Sequence, residues 1–329
     1  MPSGGRQQGE GVVSAAERTK HWADVRERGA EWGPALMAFI YRTLGRTVCL
    51  VVMAPVILYF YAAATRQRRA SLDYLRRVWA AQGRTDKPTH WHALKHFFAF
   101  GESLVDKFGA WTGRVDRVDV DAIDGGNFDA MRNDPRGSLI ISAHVGATEI
   151  VRAIASRYQR RRITIVIHSA QAARYNKLIE RFAPQSQVSL VQASEFDVAT
   201  AMALSAAIER GEWVVIMGDR MPVKRSERGV MANFLGAPAP FPQGPFILAS
   251  ALRCPIYTLF CTKLRGRHRV QVSLLSQGVA LPRRDREAAL GALVQQYAGA
   301  LEALVLAAPY QWFNFYDYWA DSSDGLGRS

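Results

Sequence analysis

Residues 138–149 have the sequence SLIISAHVGATE, and this stretch decides the fold class. Its first half, SLIIS, is a short apolar run that predicts a buried strand. Its last residue begins a segment, 149–158, whose composition favours a helix. A strand followed within a few residues by a helix is the building unit of α/β proteins.

The same alternation continues on both sides of this stretch. Further strands are predicted near residue 118 and at 163–167, 188–191, 213–217, 256–261 and 270–275. Further helices are predicted at 69–114, 172–182, 197–210, 246–252 and 288–307. This rhythm predicts an α/β fold whose mixed sheet is parallel in its centre and flanked by helices.

The composition permits a large core and favours an anionic partner. Hydrophobic residues make up 49% of the 329 residues, and 42 Lys and Arg against 29 Asp and Glu give a formal charge of +13. Such a charge suits a nucleic acid, an anionic membrane or an acidic carrier protein. The basic residues are spread along the chain without a nucleic-acid-binding motif, so we do not expect a nucleic acid partner. The three cysteines are scattered, which favours reduced thiols.

Residues 48–65 (VCLVVMAPVILYFYAAAT) predict a hydrophobic membrane helix near the N-terminus. They carry no charge, and about 20 apolar residues are needed to cross the hydrocarbon. Arginines flank the run, a pattern typical of headgroup contact: Arg42, Arg46, Arg66, Arg68, Arg69, Arg76 and Arg77. A single spanning helix competes with a helical hairpin or interfacial helix in one leaflet, and with a buried core helix. The denser arginine cluster follows the run, which predicts that the α/β part of the chain faces the cytoplasm.

These patterns divide the chain into four parts. We expect a disordered tail at 1–20 and a membrane-associated helical region at 21–110, with its anchor at 48–65. We expect the α/β domain at 111–320 and a flexible tail at 321–329.

His144 and Glu149 are the strongest candidates for chemistry. His144 follows the predicted strand, and ligands of open α/β sheets bind at the carboxyl ends of strands. Glu149 could hold one ring nitrogen and leave the other to take a proton from an alcohol. Gly146 would allow a substrate to approach the backbone, and amides beside it could hold an oxyanion. A structural histidine is the alternative.

Two later stretches also suggest substrate binding. Asp219 and Arg220 follow the predicted strand 213–217, where Arg220 could bind a phosphate or carboxylate and Asp219 could fix Arg220 or bind the acceptor. A structural Asp–Arg pair is the alternative. Residues 233–246 predict a loop rich in Gly, Pro and Phe, and Phe234 and Gly244 in it could line an acyl channel. Ordinary loop packing is the alternative.

A metal site is a further alternative. His92 and His96 are spaced to share a helix face, with His90 and Glu102 nearby. The pattern lacks an acid at the usual offset. Histidines at the membrane interface explain it better, so no metal site is expected.

The motifs in this order resemble the lysophospholipid acyltransferase superfamily, and within it the late lipid A (lauroyl/myristoyl) acyltransferases. The family's His-x4-Asp/Glu motif is matched by His144 and Glu149, although the wider superfamily usually has Asp at the second position. Its next block is matched by Gly218-Asp219-Arg220, its Phe loop by 234–244, and its Gln-Trp ending by Gln311 and Trp312. The resemblance covers roughly residues 20–320.

The resemblance implies a glycerolipid acyltransferase-like fold and an O-acyltransferase. His144 would be the general base and Glu149 its orienter, with Gly146 and Arg220 near the oxyanion or acceptor phosphate. The donor would be a thioester of acyl-carrier protein or coenzyme A, with no cofactor. The acceptor would be a lipid A-like molecule, a glycolipid or another lipid, and relatives that make ornithine or polyene lipids leave this open. An inner-membrane location with the catalytic domain in the cytoplasm is also implied.

Overall fold

The computed structural model describes residues 32–111, 120–122, 126–147, 161–167, 188–192, 198–221 and 229–319. The predicted tails and the predicted helices at 149–158 and 172–182 lie outside these residues. Within them the predicted α/β fold is confirmed.

Seven of the described strands form one mixed sheet. The described residues form nine strands in all: β1 (Val120–Ala122), β2 (Ser138–Ser142), β3 (Ile163–Ile167), β4 (Val188–Gln192), β5 (Trp213–Met217), β6 (Gly229–Phe234), β7 (Ala237–Pro242), β8 (Ile256–Leu264) and β9 (Arg267–Ser276). β6 and β7 form a separate two-stranded sheet. The sheet order is β1-β9-β8-β2-β5-β3-β4. Only β8 and β9 pair antiparallel in it, and the other neighbours are parallel. Every residue of β2 is buried, as expected for a central parallel strand covered on both faces.

The helices of the described residues surround this sheet. They are α1 (Trp32–Ala63), α2 (Thr65–Ala81), α3 (His90–Trp111), α4 (Asn127–Asn133), α5 (Val198–Glu209), α6 (Gly244–Leu252) and α7 (Arg286–Ala307). The helical stretch predicted at 69–114 is divided, because Gly83 has a left-handed φ of 71° and Pro88 cannot continue a helix. α7 is long and apolar enough to cross a membrane, but Val294, Tyr297 and Leu301 on it are buried in the core.

α1 is a helical hairpin. Gly45 has φ 84° and ψ −178°, which interrupts the helix. The Cys49 thiol lies 3.6 Å from the carbonyl oxygen of Met37, whereas twelve residues of straight helix would separate them by about 18 Å. The two segments therefore lie side by side. Of the three alternatives for this region, a spanning helix, a helical hairpin or interfacial helix, and a buried core helix, the fold-back agrees with the hairpin.

One face of α1 is apolar and exposed. The exposed side chains are Leu36, Phe39, Leu44, Val51, Val52, Val56, Leu58, Tyr59 and Phe60. Only 11% of the apolar window within 36–63 is buried, so a buried core helix is excluded. So many exposed large apolar side chains on one helical element mark a membrane or protein contact.

Arg46 connects this hairpin to the rest of the protein. The sequence placed Arg46 at the membrane boundary as a headgroup contact. In the structure its guanidinium donates to the buried Asp106 carboxylate of α3 at 2.8 Å. Asp106 also accepts from the Lys263 ammonium of β8 at 2.7 Å. These partly buried ion pairs, which share the buried Asp106 carboxylate, thus join α1 to the sheet.

The prediction of a loop at 233–246 is wrong. Residues 229–242 form the antiparallel hairpin of β6 and β7, and α6 begins at Gly244. The turn residues Leu235 and Gly236 both have positive φ, at 51° and 77°, as a two-residue hairpin turn requires. Three prolines in β7 concealed this strand, because proline lacks the N–H of a ladder.

Candidate active site

The register of the sheet brings His144 and Asp219 together. β2 and β5 are parallel neighbours, and Ser142 at the end of β2 is level with Met217 at the end of β5. The Gly218 N–H donates to the Ser142 carbonyl at 2.9 Å and extends this register by one residue. His144 and Asp219 each lie two residues past the strand end. They therefore meet at the carboxyl edge of the sheet, where ligands of such folds bind.

The Asp219 carboxylate holds both the ring and the backbone of His144. Its Oδ1 lies 2.8 Å from His144 Nδ1. Its Oδ2 accepts the His144 backbone N–H at 2.9 Å and the Trp312 indole N–H at 2.9 Å. Asp219 is fully buried, while the His144 side chain is 36% exposed. With Nδ1 bound to the carboxylate, Nε2 is the nitrogen that can exchange a proton with a substrate.

The charge states of this pair suit a general base. Burial lowers the pKa of His144, Asp219 raises it in part, and the charge of Arg220 lowers it further. Burial would raise the pKa of Asp219, but the charge and hydrogen bonds of His144 outweigh it and lower this pKa to about 2. At neutral pH the imidazole is therefore neutral beside an ionised carboxylate.

Gly146 serves the packing of this loop. Its φ is +52°, and a Cβ at this position would overlap the carbonyl oxygen of Cys261. Its N–H donates to the Gln311 carbonyl at 2.8 Å. The N–H of Val145 donates to Ala143, and that of His144 to Asp219. These three amides are engaged within the protein, so an oxyanion would need a donor other than these three.

The C-terminal segment 311–314 lies against the loop that carries His144, residues 143–147. Val145 forms an antiparallel bridge with Trp312, and the Phe313 N–H donates to the His144 carbonyl at 2.9 Å. Arg220 donates to the Phe313 carbonyl at 2.6 Å. The loop is thus fixed by Asp219 on one side and by this segment on the other.

The remaining predicted substrate residues lie at different depths. Arg220 follows Asp219 directly and is partly exposed beside His144. Phe234 is fully buried and packs against Trp312, Phe241 and Trp319. Gly244 begins α6. The structure therefore brings Arg220 to the site and places Phe234 in the core beneath it.

The three histidines of the possible metal site have separate partners. His90 Nδ1 lies 3.2 Å from the Tyr61 hydroxyl, and His92 Nδ1 accepts the Thr89 N–H at 3.0 Å. Both ring nitrogens of His96 are engaged inside the core. Within the part of the chain that the structure describes, no group of three metal-ligating side chains occurs.

Sequence reasoning missed the partner of His144. It gave Asp219 to Arg220 or to the acceptor, and it gave the orienting role to Glu149, which lies outside the described residues. One signal was available, since both His144 and Asp219 follow a predicted strand at the same offset.

A neutral imidazole held by a buried carboxylate at the edge of an α/β sheet is an arrangement that suits an enzyme using general-base chemistry. The profile of the bacterial lipid A biosynthesis acyltransferases matches residues 92–320. This is more than half of the 329 residues, so the chain belongs to that family and is an acyltransferase that acts on a lipid. The resemblance seen in the motifs is confirmed. No curated protein matches the chain significantly.

Proposed function

We propose that the protein transfers a fatty acyl group from an acyl-carrier protein or coenzyme A thioester to a lipid hydroxyl. The acceptor is a lipid A-like molecule, a glycolipid or another lipid, and His144 is the general base. The 2.8 Å hydrogen bond between His144 Nδ1 and the buried Asp219 carboxylate carries this proposal. It gives the imidazole the tautomer whose Nε2 accepts a proton.

The proposed reaction needs one proton in each direction. His144 Nε2 takes the proton of the acceptor hydroxyl while that oxygen attacks the thioester carbonyl carbon. The tetrahedral intermediate then collapses, the carbon–sulfur bond breaks, and the imidazolium returns the proton to the leaving thiolate. Asp219 stabilises the transient imidazolium, because its carboxylate is ionised and cannot be reached by water.

Two carboxylates compete for the role of orienter in this proposal. The family motif gives it to Glu149, and the hydrogen bond to Nδ1 favours Asp219. We assign orientation of the ring to Asp219. Glu149 stays a predicted catalytic residue that acts beside His144. Amide variants of the two residues separate these roles.

Arg220 is the proposed site for negative charge. Its charge acts on His144, its guanidinium donates to the carbonyl of Phe313 beside His144, and the backbone amides of 144–146 are engaged. A guanidinium suits the oxyanion of the intermediate or a phosphate of the acceptor. Phe234 and Gly244 would shape the acyl site indirectly, through the packing of the hairpin and α6.

The proposed location is the cytoplasmic face of the inner membrane. The family and the exposed apolar face of α1 indicate membrane association, and the hairpin geometry suits insertion into one leaflet. Arg66, Arg69 and Arg76 follow on the exposed face of α2, where anionic headgroups attract them by about 1 kcal/mol each. Replacing the three by Gln should weaken flotation with anionic vesicles but not with neutral vesicles. Unchanged flotation of the triple variant with anionic vesicles would contradict a headgroup role.

The central test is transfer in vitro by purified protein. Carrier-protein and coenzyme A thioesters of several chain lengths are offered with lipids from cells that lack the gene, and mass spectrometry identifies the acylated product. His144→Ala should abolish transfer. His90→Ala is the matched control, since this exposed histidine lies at the start of α3, and it should retain transfer. Full activity of His144→Ala would remove the proposed base.

A further inference from the structure

Trp312 connects the hydrophobic core to the catalytic pair. Its side chain is 1% exposed and lies among aromatic rings of Tyr74, Phe234 and Tyr318, with centroid distances of 5.1, 5.2 and 5.1 Å. Its indole N–H is directed out of this apolar cluster to Asp219 Oδ2, at 2.9 Å. A buried indole cannot contact a substrate, so the polar link from the Trp312 side chain to the catalytic pair is its hydrogen bond to Asp219.

The backbone of Trp312 is held as firmly as its ring. Its carbonyl oxygen accepts a hydrogen bond from His96 Nε2 at 2.8 Å. The other ring nitrogen of His96 lies 2.9 Å from the Ser71 hydroxyl of α2. Since a carbonyl can only accept, Nε2 carries the proton and Nδ1 accepts from Ser71. Hydrogen bonds therefore connect α2 to the Trp312 backbone through His96, and the Trp312 side chain connects to the catalytic carboxylate.

The two oxygens of Asp219 have different tasks because of this arrangement. Oδ1 faces the His144 ring, and Oδ2 receives two N–H donors, one from the His144 backbone and one from Trp312. These two donors fix the plane of the carboxylate. They also share its negative charge, which limits how strongly Asp219 favours the imidazolium.

We infer that Trp312 is a positioning residue that sets the orientation of Asp219 and the basicity of His144. This inference rests on the proposed function and deepens it. Loss of the indole N–H would let the carboxylate rotate and would leave more of its charge for the imidazolium. The rate of transfer then falls, while the proton affinity of His144 rises.

Other charged or titratable groups also surround this pair. They are Arg220 after β5, Lys107 on α3, Tyr297 on α7 and Tyr318 in the C-terminal segment. A substitution of Trp312 by Phe removes none of these four groups, and the sulfur analogue described below also keeps the ring that packs on Tyr318. A change in the titration of His144 in that variant therefore reports the lost hydrogen bond.

The test compares Trp312→Phe with Trp319→Phe. Trp319 is a buried indole of the same aromatic region, packed on Phe234 and Tyr318. Trp312→Phe should lower kcat by about ten-fold, the value of one hydrogen bond to a charged group, with KM unchanged. The acid limb of its pH–rate profile should move to higher pH. Trp319→Phe should change neither.

A second variant removes the donor without changing the shape of the ring. Benzothienylalanine, introduced at position 312 by codon suppression, replaces the indole N–H by sulfur and avoids a cavity if Trp312→Phe does not fold. Modification of His144 by diethyl pyrocarbonate at a series of pH values gives the proton affinity of its ring without any catalytic assay, since only the neutral ring reacts and its side chain is accessible.

Each outcome of this pair of measurements is decisive. A higher pH midpoint for the titration of His144 in the position-312 variants supports the inference. It does so even if the wild-type protein shows no acyl transfer, and in that case the proposed function alone fails. An unchanged titration overturns the inference, even if the wild-type protein transfers acyl groups normally. If kcat falls equally in Trp312→Phe and Trp319→Phe, each in proportion to a lower Tm, Trp312 contributes only to core packing and the inference is wrong.

Discussion

The substitution Asp219→Asn tests the site most sharply, because the structure fixes how the amide must lie. The Oδ2 position receives two N–H donors, from the His144 backbone and from Trp312. The amide oxygen has to occupy that position. The amide NH2 then occupies the Oδ1 position, 2.8 Å from His144 Nδ1. An NH2 group can only donate, so Nδ1 must become the acceptor and the ring proton moves to Nε2.

This tautomer cannot remove a proton from the acceptor. The same reversal in a hydroxyl-activating triad lowers kcat about 10⁴-fold. We expect a fall of about 10³- to 10⁴-fold here, which is roughly 4 to 5.5 kcal/mol in the activation barrier. Folding should change little, because the amide has the shape of the carboxylate and still satisfies both donors at Oδ2.

The assay is single-turnover acyl transfer with a thioester donor and the identified acceptor, together with thermal unfolding. Asp219→Asn with an unchanged Tm and more than a tenth of the wild-type rate would refute the assignment of ring orientation to Asp219. Glu149→Gln in the same assay is the companion measurement. A loss of about 10³-fold or more in Glu149→Gln, beside a mild loss in Asp219→Asn, would return the orienting role to the family motif.

Three further predictions concern pH and packing. Because burial lowers the pKa of His144 from its ordinary 6.5 and the neutral form is the base, kcat/KM should rise with pH and level off with an apparent pKa below 6.5; an apparent pKa above 7 would contradict this. Burial lowers the pKa of His96 to about 4, so protonation of His96 should lower the free energy of unfolding by about 3 kcal/mol as the pH falls from 6.5 toward 4. Urea midpoints measured over this pH range should fall less steeply with decreasing pH in His96→Gln than in the wild type. Gly146→Ala should destabilise the protein by about 3 kcal/mol, since its φ is +52° and the new methyl would overlap the Cys261 carbonyl; an unchanged Tm would show that the loop adapts.

Local sequence patterns were sufficient for most secondary structure. Apolar runs such as 138–142 and 213–217 became central strands because parallel strands buried on both faces need no polar residues. Prolines concealed the β6–β7 hairpin, since proline normally interrupts a ladder. The exposed apolar run at the N-terminus was also visible in the sequence. Its fold-back depends on the backbone conformation of Gly45. The sequence did not show that conformation, because it is compatible with both a spanning helix and a hairpin.

The family motif predicts that His144 is the general base, but the sequence alone did not identify the carboxylate that binds its ring. In the chain, β3 and β4 lie between β2 and β5, and nothing in the local pattern states that β2 and β5 are neighbours. The pairing of Ser142 with Met217 follows from the packing of the whole sheet, and it brings Asp219 to the imidazole from 75 residues away. Trp312 arrives from 93 residues beyond Asp219 for the same reason. Local propensity determined which residues form strands, while burial of the complete sheet decided which strand ends share one site.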